Sequence, residues 1–149
     1  MDWDFGRTKL AAVLGTICAV GALVTVGLSE GNAAQQSNFM GGAPEILERG
    51  TMGDVAALRL RFPAGVRSNW HSHSDGQLLM VESGRGLTQV RGEAIQVAGP
   101  GEPWWTDAGV EHWHGAHPDE AVVQWTFYAG APTWLEPVTD AQYRAPSGR

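Results

Sequence analysis

Cysteine is almost absent from this chain of 149 residues, which contains only Cys18. That cysteine lies inside an apolar run at residues 10–28, so residues 35–149 contain no thiol. This absence excludes disulfide bonds, cysteine nucleophiles and thiolate metal sites from the larger part of the chain. A lipid anchor on Cys18 is not expected either, because Ile17 stands where a lipoprotein signal needs a small residue.

Lysine is equally scarce, since Lys9 is its only instance. Residues 35–149 therefore cannot form a Schiff base or a pyridoxal linkage. Positive charge there comes from eight arginines against 13 carboxylates, and 8 − 13 gives about −5 with no basic block. Nucleic acid is not an expected partner of such a chain. Any chemistry has to come from histidines, carboxylates, amides or a metal.

The long apolar run lies near the N-terminus. Arg7 and Lys9 precede it, and small residues follow at positions 31–34. This pattern is typical of a secretory signal, which we place at residues 1–34. Because the run approaches the length of a membrane-spanning helix, an uncleaved anchor over the same residues is the alternative. We expect a periplasmic or secreted protein, or one that faces the periplasm with this segment as its only membrane contact.

The remaining sequence predicts an all-β fold. Residues 56–62 alternate apolar and polar side chains, which indicates a strand with one buried face. Short apolar runs separated by glycine and proline predict further strands at 77–82, 87–90, 94–97, around His112 and at 121–127. Such strands are typical of an antiparallel sandwich or barrel. We expect an extended arm at 35–44, one domain at 45–149, and a C-terminal tail at 131–149 with a short helix at 139–143.

Two His-x-His pairs are the most informative local pattern, His71-Ser72-His73 and His112-Trp113-His114. Alternate residues of a strand point the same way, so each pair can direct two imidazoles at one point. Imidazole is a ligand of manganese, iron, cobalt, nickel, copper and zinc. The pattern predicts a buried divalent metal, and a metal-free sugar-binding or structural jelly roll is the alternative.

The spacing around these histidines resembles the two sequence motifs of the cupin superfamily. The residues at the motif positions are Gly65, His71, His73, Gln77 and Gly84 in the first motif, and Gly101, Asp107, Gly109 and His112 in the second, with Asp107 in place of proline and Ala116 in place of asparagine. The resemblance covers about residues 45–130. It implies a double-stranded β-helix, or jelly-roll barrel, that holds one divalent metal.

The same resemblance implies the metal ligands, which would be His71, His73, Gln77 and His112. Gln77 stands where most cupins carry a glutamate, so the site would keep one more positive charge and act as a stronger Lewis acid. Manganese is the expected metal, with iron, zinc, nickel and copper as alternatives.

Longer segments carry a narrower resemblance. Residues 70–73, 112–116 and 134–143 are similar to the small bacterial cupins related to carboxymuconolactone decarboxylase, which include the manganese-dependent (R)-selective hydroxynitrile lyases. This implies a homo-oligomeric enzyme whose metal acts as a Lewis acid on a small carbonyl or hydroxy substrate, in a hydroxynitrile-lyase-like or decarboxylase- or isomerase-like reaction. A cupin dioxygenase with iron or copper is one alternative. A non-catalytic module that binds a metal or a small ligand is the other.

His114 is the predicted catalytic residue, because it shares a strand face with His112 and imidazole titrates near neutral pH. A core histidine bonded to nearby backbone is the alternative. In the lyases a histidine on the following strand moves the proton, and the corresponding residue here is Gln124, which has no useful pKa. The residues predicted to line the substrate pocket are Leu58, Leu60, Trp105 and Gln124.

Overall fold

The structure is a computed structural model that describes residues 37–147, so the predicted signal or anchor at 1–34 lies outside the described residues. In the described range, no helix is both long enough and apolar enough to cross a membrane. The elements are β1 (Phe39–Met40), β2 (Glu45–Met52), β3 (Val55–Phe62), β4 (Arg67–Ser68), β5 (His71–Ser72), β6 (Gln77–Gly84), β7 (Gly86–Val90), β8 (Gln96–Ala98), β9 (Pro103–Thr106), β10 (His112–Ala116), β11 (Val122–Ala129), β12 (Thr133–Trp134) and α1 (Asp140–Tyr143).

The strands form two antiparallel sheets, which confirms the predicted all-β class. Among residues 37–147, one sheet has seven strands in the order β1-β4-β10-β5-β12, with β7 paired to both β10 and β8. The other sheet has five strands in the order β2-β3-β11-β6-β9. The strands predicted at 87–90 and 94–97 correspond to β7 and β8, which pair with each other, with Leu87 opposite Val97.

The alternation predicted for residues 56–62 is found in β3. Leu60 and Phe62 are buried in the core, whereas Arg59 and Arg61 point to the opposite face of the sheet. The Arg59 guanidinium donates to Glu82 Oε1 at 2.5 Å on that outer face. Exposed ion pairs of this kind stabilise a fold by about 0–1 kcal/mol, so the inward face carries most of the stability of this strand.

Within residues 37–147 the core consists of two clusters. The first joins both sheets, and its buried members are Leu60, Phe62, Val66, Val81, Ala98, Ala116 and Val122. The second packs the C-terminal tail against the seven-stranded sheet, and its buried members are Trp70, Leu87, Ile95, Trp113, Val138 and Tyr143. Because His112 and His114 alternate with Trp113 along β10, the histidines face the space between the sheets while the tryptophan faces the tail.

The predicted C-terminal helix is α1, with Thr139 as its N-cap. A capping box closes its first turn, since Thr139 Oγ1 accepts from the Gln142 amide at 3.2 Å and Gln142 Oε1 accepts from the Thr139 amide at 2.9 Å. The Tyr143 hydroxyl then donates to the Ala116 carbonyl at the end of β10 at 2.5 Å. The tail thereby supports the strand that carries His112 and His114.

Candidate metal centre

Two short strands of the seven-stranded sheet bring the histidine pairs together. His112 on β10 is the direct antiparallel partner of His71 on β5. Opposite residues on one face of such a pair have Cβ atoms about 4.5–5.5 Å apart, and the two imidazole centroids here are 4.3 Å apart. His73 follows β5 on the same side, with its ring 5.8 Å from that of His112.

His71, His73 and His112 form a buried group that could hold a metal ion. One ligand atom from each residue lies within 4.8 Å of the others. Bonds of imidazole nitrogen to zinc are about 2.0–2.1 Å long, so three such nitrogens can surround one cation without a large movement. His114 lies beside this group, with its ring 5.2 Å from that of His71.

Backbone carbonyls orient two of the three rings. His71 Nδ1 donates to the Asn69 carbonyl at 2.9 Å, and His112 Nδ1 donates to the Val110 carbonyl at 3.0 Å. A carbonyl can only accept, so the proton of each neutral ring lies on Nδ1 and Nε2 keeps its lone pair. Histidines that bind metals are usually held in this way by a partner on the other nitrogen.

Gln77 and His112 meet in an arrangement that favours a cation bound by both. Gln77 Nε2 donates to Thr126 Oγ1 at 2.7 Å, which turns the amide oxygen towards the histidines. That oxygen lies 2.7 Å from His112 Nε2. With the His112 proton on Nδ1, both facing atoms are acceptors, and a bound metal ion would satisfy both.

His73 supplies a second observation that fits a metal. Its Nδ1 and Nε2 are both buried, and neither has a hydrogen-bond partner among the described residues. A buried polar atom without a partner costs about 1–3 kcal/mol. A metal bond to one nitrogen would remove part of that cost, so the residues at this point of the fold fit the metal that the sequence predicts.

The surroundings keep these histidines neutral. Burial is the main cause that lowers the pKa of His71 to about 3, and the neighbouring His112 lowers it further. Burial also lowers the pKa of His73 to about 4, again with His112 as the second cause. The pKa of His112 is lowered by burial as well. Neutral imidazole is the form that binds metals, so the site is ready for a cation at neutral pH.

A cavity of about 70 Å³ opens beside the histidines. The residues that line it are Phe39, Leu58, Leu60, His71, His73, Gln77, His114, Thr126, Tyr128, Pro132 and Trp134. The pocket candidates Leu58 and Leu60 are thus on its wall. The structure places Trp105 elsewhere: it is 57% exposed on the edge strand β9. The alternation of β9 turns Thr106 inward and Trp105 outward, which is why Trp105 does not reach the cavity.

Gln124 lies behind His114 rather than on the cavity wall. The Gln124 amide nitrogen is 2.9 Å from His114 Nδ1. On its other side Gln124 borders a space of about 10 Å³ next to Leu79 and Trp104. His114 therefore lies between Gln124 and the cavity that contains the candidate metal ligands.

Sequence reasoning missed several residues of the cavity wall. Thr126 and Tyr128 share the inward face of β11 with Gln124, so extending the alternation along that strand would have found them. The Tyr128 ring packs 4.6 Å from that of His73. Phe39 and Trp134 arrive through the pairing of β1 with β4 and of β12 with β5, and no local pattern signals those pairings.

Comparison with known proteins identifies the fold family. A cupin domain matches residues 58–128. An (R)-mandelonitrile lyase from Granulicella tundricola is 40% identical over 94 residues, which are 60% of this chain and 72% of the lyase. The chain belongs to the cupin family.

Solved structures agree with the assignment of this chain to the cupin family. A cupin-like protein from Thermotoga maritima has a TM-score of 0.63 and 32% identity, and the match covers 71% of this chain and 85% of that protein. An RmlC-like cupin with a double-stranded β-helix fold from Methanocaldococcus jannaschii has a TM-score of 0.53 and 9% identity. The match covers 64% of this chain and 84% of that protein. The fold of this cupin is therefore the double-stranded β-helix that the cupin resemblance implied.

Proposed function

We propose that this cupin is a lyase that binds one divalent metal through His71, His73, Gln77 and His112. Manganese is the metal that we expect. Its substrate would be a small hydroxy or carbonyl compound, with a cyanohydrin as the specific candidate. The observation that carries the proposal is the contact of 2.7 Å between two acceptors, Gln77 Oε1 and His112 Nε2, inside a group of buried neutral imidazoles. The similarity to an (R)-mandelonitrile lyase supports the reaction class.

The ligand set suits Lewis-acid chemistry. When bound, the metal would supply a positive charge that lowers the pKa of a coordinated hydroxyl group. Gln77 offers an uncharged amide oxygen, so the chain itself does not neutralise that charge. Thr126 keeps the amide in this orientation by accepting its N–H at 2.7 Å.

The cavity wall suits a small substrate with one polar end. Leu58, Leu60 and Tyr128 provide an apolar surface opposite the histidines. The carbon skeleton of an aldehyde or ketone would lie against these side chains, while its oxygen faces the candidate metal ligands. The cavity is partly open to solvent, so its volume of about 70 Å³ does not by itself limit the size of the substrate.

The route of the proton separates this cupin from the hydroxynitrile lyases that it resembles. Cleavage of R–CH(OH)–CN breaks the carbon–carbon bond, leaves its electron pair on cyanide and transfers the hydroxyl proton to cyanide, which gives R–CHO and HCN. Gln124 cannot move that proton because an amide does not titrate at neutral pH. Among the described wall residues outside the proposed ligand set, His114 and Tyr128 are the titratable ones. We therefore expect cyanohydrin turnover that is slow but dependent on the metal.

The test is synthesis of mandelonitrile from benzaldehyde and cyanide by the manganese-loaded protein, followed by chiral analysis. We expect enantiomerically enriched product from the wild type and none above the blank from His112→Ala. His117→Ala is the matched control, because His117 lies in the turn after β10, where its Nδ1 accepts from the Asp119 amide. Racemic product at the blank rate across several aldehydes would remove the lyase proposal. Substrate loss that requires O₂ would instead favour the dioxygenase.

We also propose export and self-association, for which the sequence is the support. Residues 1–34 carry the pattern of a signal or anchor, and the narrower cupin resemblance implies a homo-oligomer. Cell fractionation with N-terminal sequencing tests the first proposal, and sedimentation analysis of the purified protein tests the second. Recovery of a monomer from the cytoplasm would contradict both.

A further inference from the structure

His114 differs from the candidate ligands in the partner of its Nδ1 atom. His71 and His112 direct Nδ1 at backbone carbonyls, at 2.9 and 3.0 Å. His114 directs Nδ1 at the side-chain amide nitrogen of Gln124, at 2.9 Å. A carbonyl accepts and an amide NH₂ group donates, so the two kinds of partner fix opposite tautomers.

The hydrogen-bond roles follow from the chemistry of the pair. Gln124 Nε2 can only donate, so His114 Nδ1 has to accept with its lone pair. A ring that accepts at one nitrogen is a neutral imidazole, and its proton lies on Nε2. The ring cannot bind a metal through Nε2 while that atom carries the proton.

The ring is also held firmly in place. The His114 amide donates to Ser68 Oγ at 3.1 Å, and the ring packs edge to face against Phe62 with 5.6 Å between centroids. On the cavity side His114 shares the wall with His71, His73 and Gln77. Since Nδ1 is engaged by Gln124, Nε2 is the nitrogen left for the cavity.

We propose that Gln124 is a positioning residue that fixes His114 with its proton on Nε2, so that His114 presents a hydrogen-bond donor to an anion or an oxygen atom bound beside the metal centre. The assignment of the His114 tautomer depends only on the contacts between Gln124 and His114. The choice of ligand, a small anion such as cyanide or an alkoxide oxygen, rests on the proposed lyase function. His114 would then orient substrate and stabilise negative charge, instead of acting as the general base.

The tautomer can be read by long-range ¹H–¹⁵N NMR of the full chain labelled with ¹⁵N-histidine and loaded with Zn(II), which is diamagnetic. Loss of signals in His114→Gln assigns the ring. We expect Nε2–H for His114 and Nδ1–H for His71 and His112 in the wild type. An Nδ1–H tautomer of wild-type His114 would overturn the proposal, and that measurement needs no folded variant at position 124.

Substitutions of Gln124 test the cause of the tautomer. A carboxylate only accepts, so Gln124→Glu should move the His114 proton to Nδ1, and Gln124→Met should give a mixture. Gln89→Met is the matched control, because the Gln89 amide oxygen accepts from Trp113 Nε1 at 2.8 Å on the opposite side of β10. The control should leave His114 unchanged. An Nε2–H tautomer that persists in both Gln124 variants would show that Gln124 is not the cause.

Azide serves as the probe for the donor role in the metal-loaded protein. Hydrogen bonds to charged groups are worth about 1.5–3 kcal/mol, so we expect Gln124→Glu to weaken azide binding by roughly ten- to a hundredfold. Gln124→Met should weaken azide binding by less, because part of the His114 population keeps its proton on Nε2. Since methionine adds no negative charge, this variant separates loss of the donor from repulsion by the glutamate. Equal azide affinity in all three proteins would overturn the donor role.

The tautomer and the lyase proposal can fail separately. An Nε2–H tautomer of His114 in a protein without cyanohydrin turnover would support the role of Gln124 and remove the lyase proposal. Cyanohydrin turnover by a protein whose His114 carries its proton on Nδ1 would support the lyase proposal and overturn the role of Gln124.

Discussion

At the scale of single residues, the partners of each imidazole decide what it can do. His71 and His112 have their Nδ1 protons bound by backbone carbonyls, which leaves Nε2 for a metal. His73 has no partner at either ring nitrogen among the described residues. His114 accepts a hydrogen bond from Gln124 at Nδ1, which leaves its Nε2–H as a donor. Four histidines that look equivalent in the sequence thus divide into three candidate metal ligands and one proposed hydrogen-bond donor.

The unpartnered ring of His73 gives a prediction about stability. In EDTA, His73→Leu should leave the free energy of unfolding unchanged or raise it by about 1 kcal/mol, because a buried polar group without a partner is removed. In the presence of Mn(II), the same variant should lose the extra stability that metal binding confers on the wild type. Urea unfolding under both conditions measures this. A loss of more than about 2 kcal/mol in EDTA would show that His73 is satisfied without a metal.

The sequence predicted which residues gather at the site but not their protonation. The spacing within each pair predicted that its imidazoles point the same way, and the cupin resemblance implied that His71, His73, Gln77 and His112 lie together; the structure groups the three histidines. The tautomers depend on the carbonyls of Asn69 and Val110 and on the amide of Gln124, which are brought into contact by pairing between distant segments. No local pattern reports those contacts.

At the scale of elements, β10 carries the site because it lies between β4, β5 and β7. Its close approach to β4 requires a residue without a side chain at position 115. A Cβ atom on Gly115 would lie 2.5 Å from Arg67 Cα and 2.5 Å from the Val66 carbonyl oxygen. Both are backbone atoms, so a larger residue would have to push the two strands apart.

Gly115→Ala is therefore expected to destabilise the protein by about 1–3 kcal/mol, the usual cost of overpacking. It should also weaken metal binding, since displacement of β10 moves His112 away from His71. Gly50→Ala is the matched control on β2, where an added Cβ meets nothing within 4 Å. Thermal unfolding and metal titration of both variants measure the effect. Equal stability of the two variants would mean that β10 can shift without cost.

The sequence predicts a strand best when one face of that strand is buried and the strand is long enough to show alternation. β3 was predicted because Leu60 and Phe62 alternate with charged residues. β2 was not, because all eight of its residues are exposed and its sequence shows no alternation. The strands β4, β5 and β12 have only two residues each, which is too short for any periodic signal.

At the scale of the whole molecule, the buried histidines couple stability to pH. The folded pKa values of His71 and His73 are about 3 and about 4, below the ordinary value of 6.5. Below pH 6.5 these two histidines bind protons in the unfolded chain but stay neutral in the folded protein. The stability contributed by these groups is therefore present above pH 6.5 and is lost as the pH falls towards the folded pKa values.

We predict that the metal-free protein loses stability between pH 6.5 and 5, by up to about 1.4 kcal/mol per pH unit for each histidine. This interval lies above the ordinary pKa of carboxyl groups, so the histidines dominate it. Urea unfolding in EDTA at several pH values measures the slope, and His73→Leu should reduce it. A free energy of unfolding that stays constant or increases as the pH falls from 6.5 to 5 would contradict the burial of neutral imidazoles.

The central claim is that His71, His73, Gln77 and His112 hold one divalent metal in this cupin. Elemental analysis of the purified protein tests it most directly, with His112→Ala as the variant and His117→Ala as the control. We predict about one divalent metal per chain in the wild type and in the control, and loss of that metal in His112→Ala. The same metal content in all three proteins would contradict the ligand assignment.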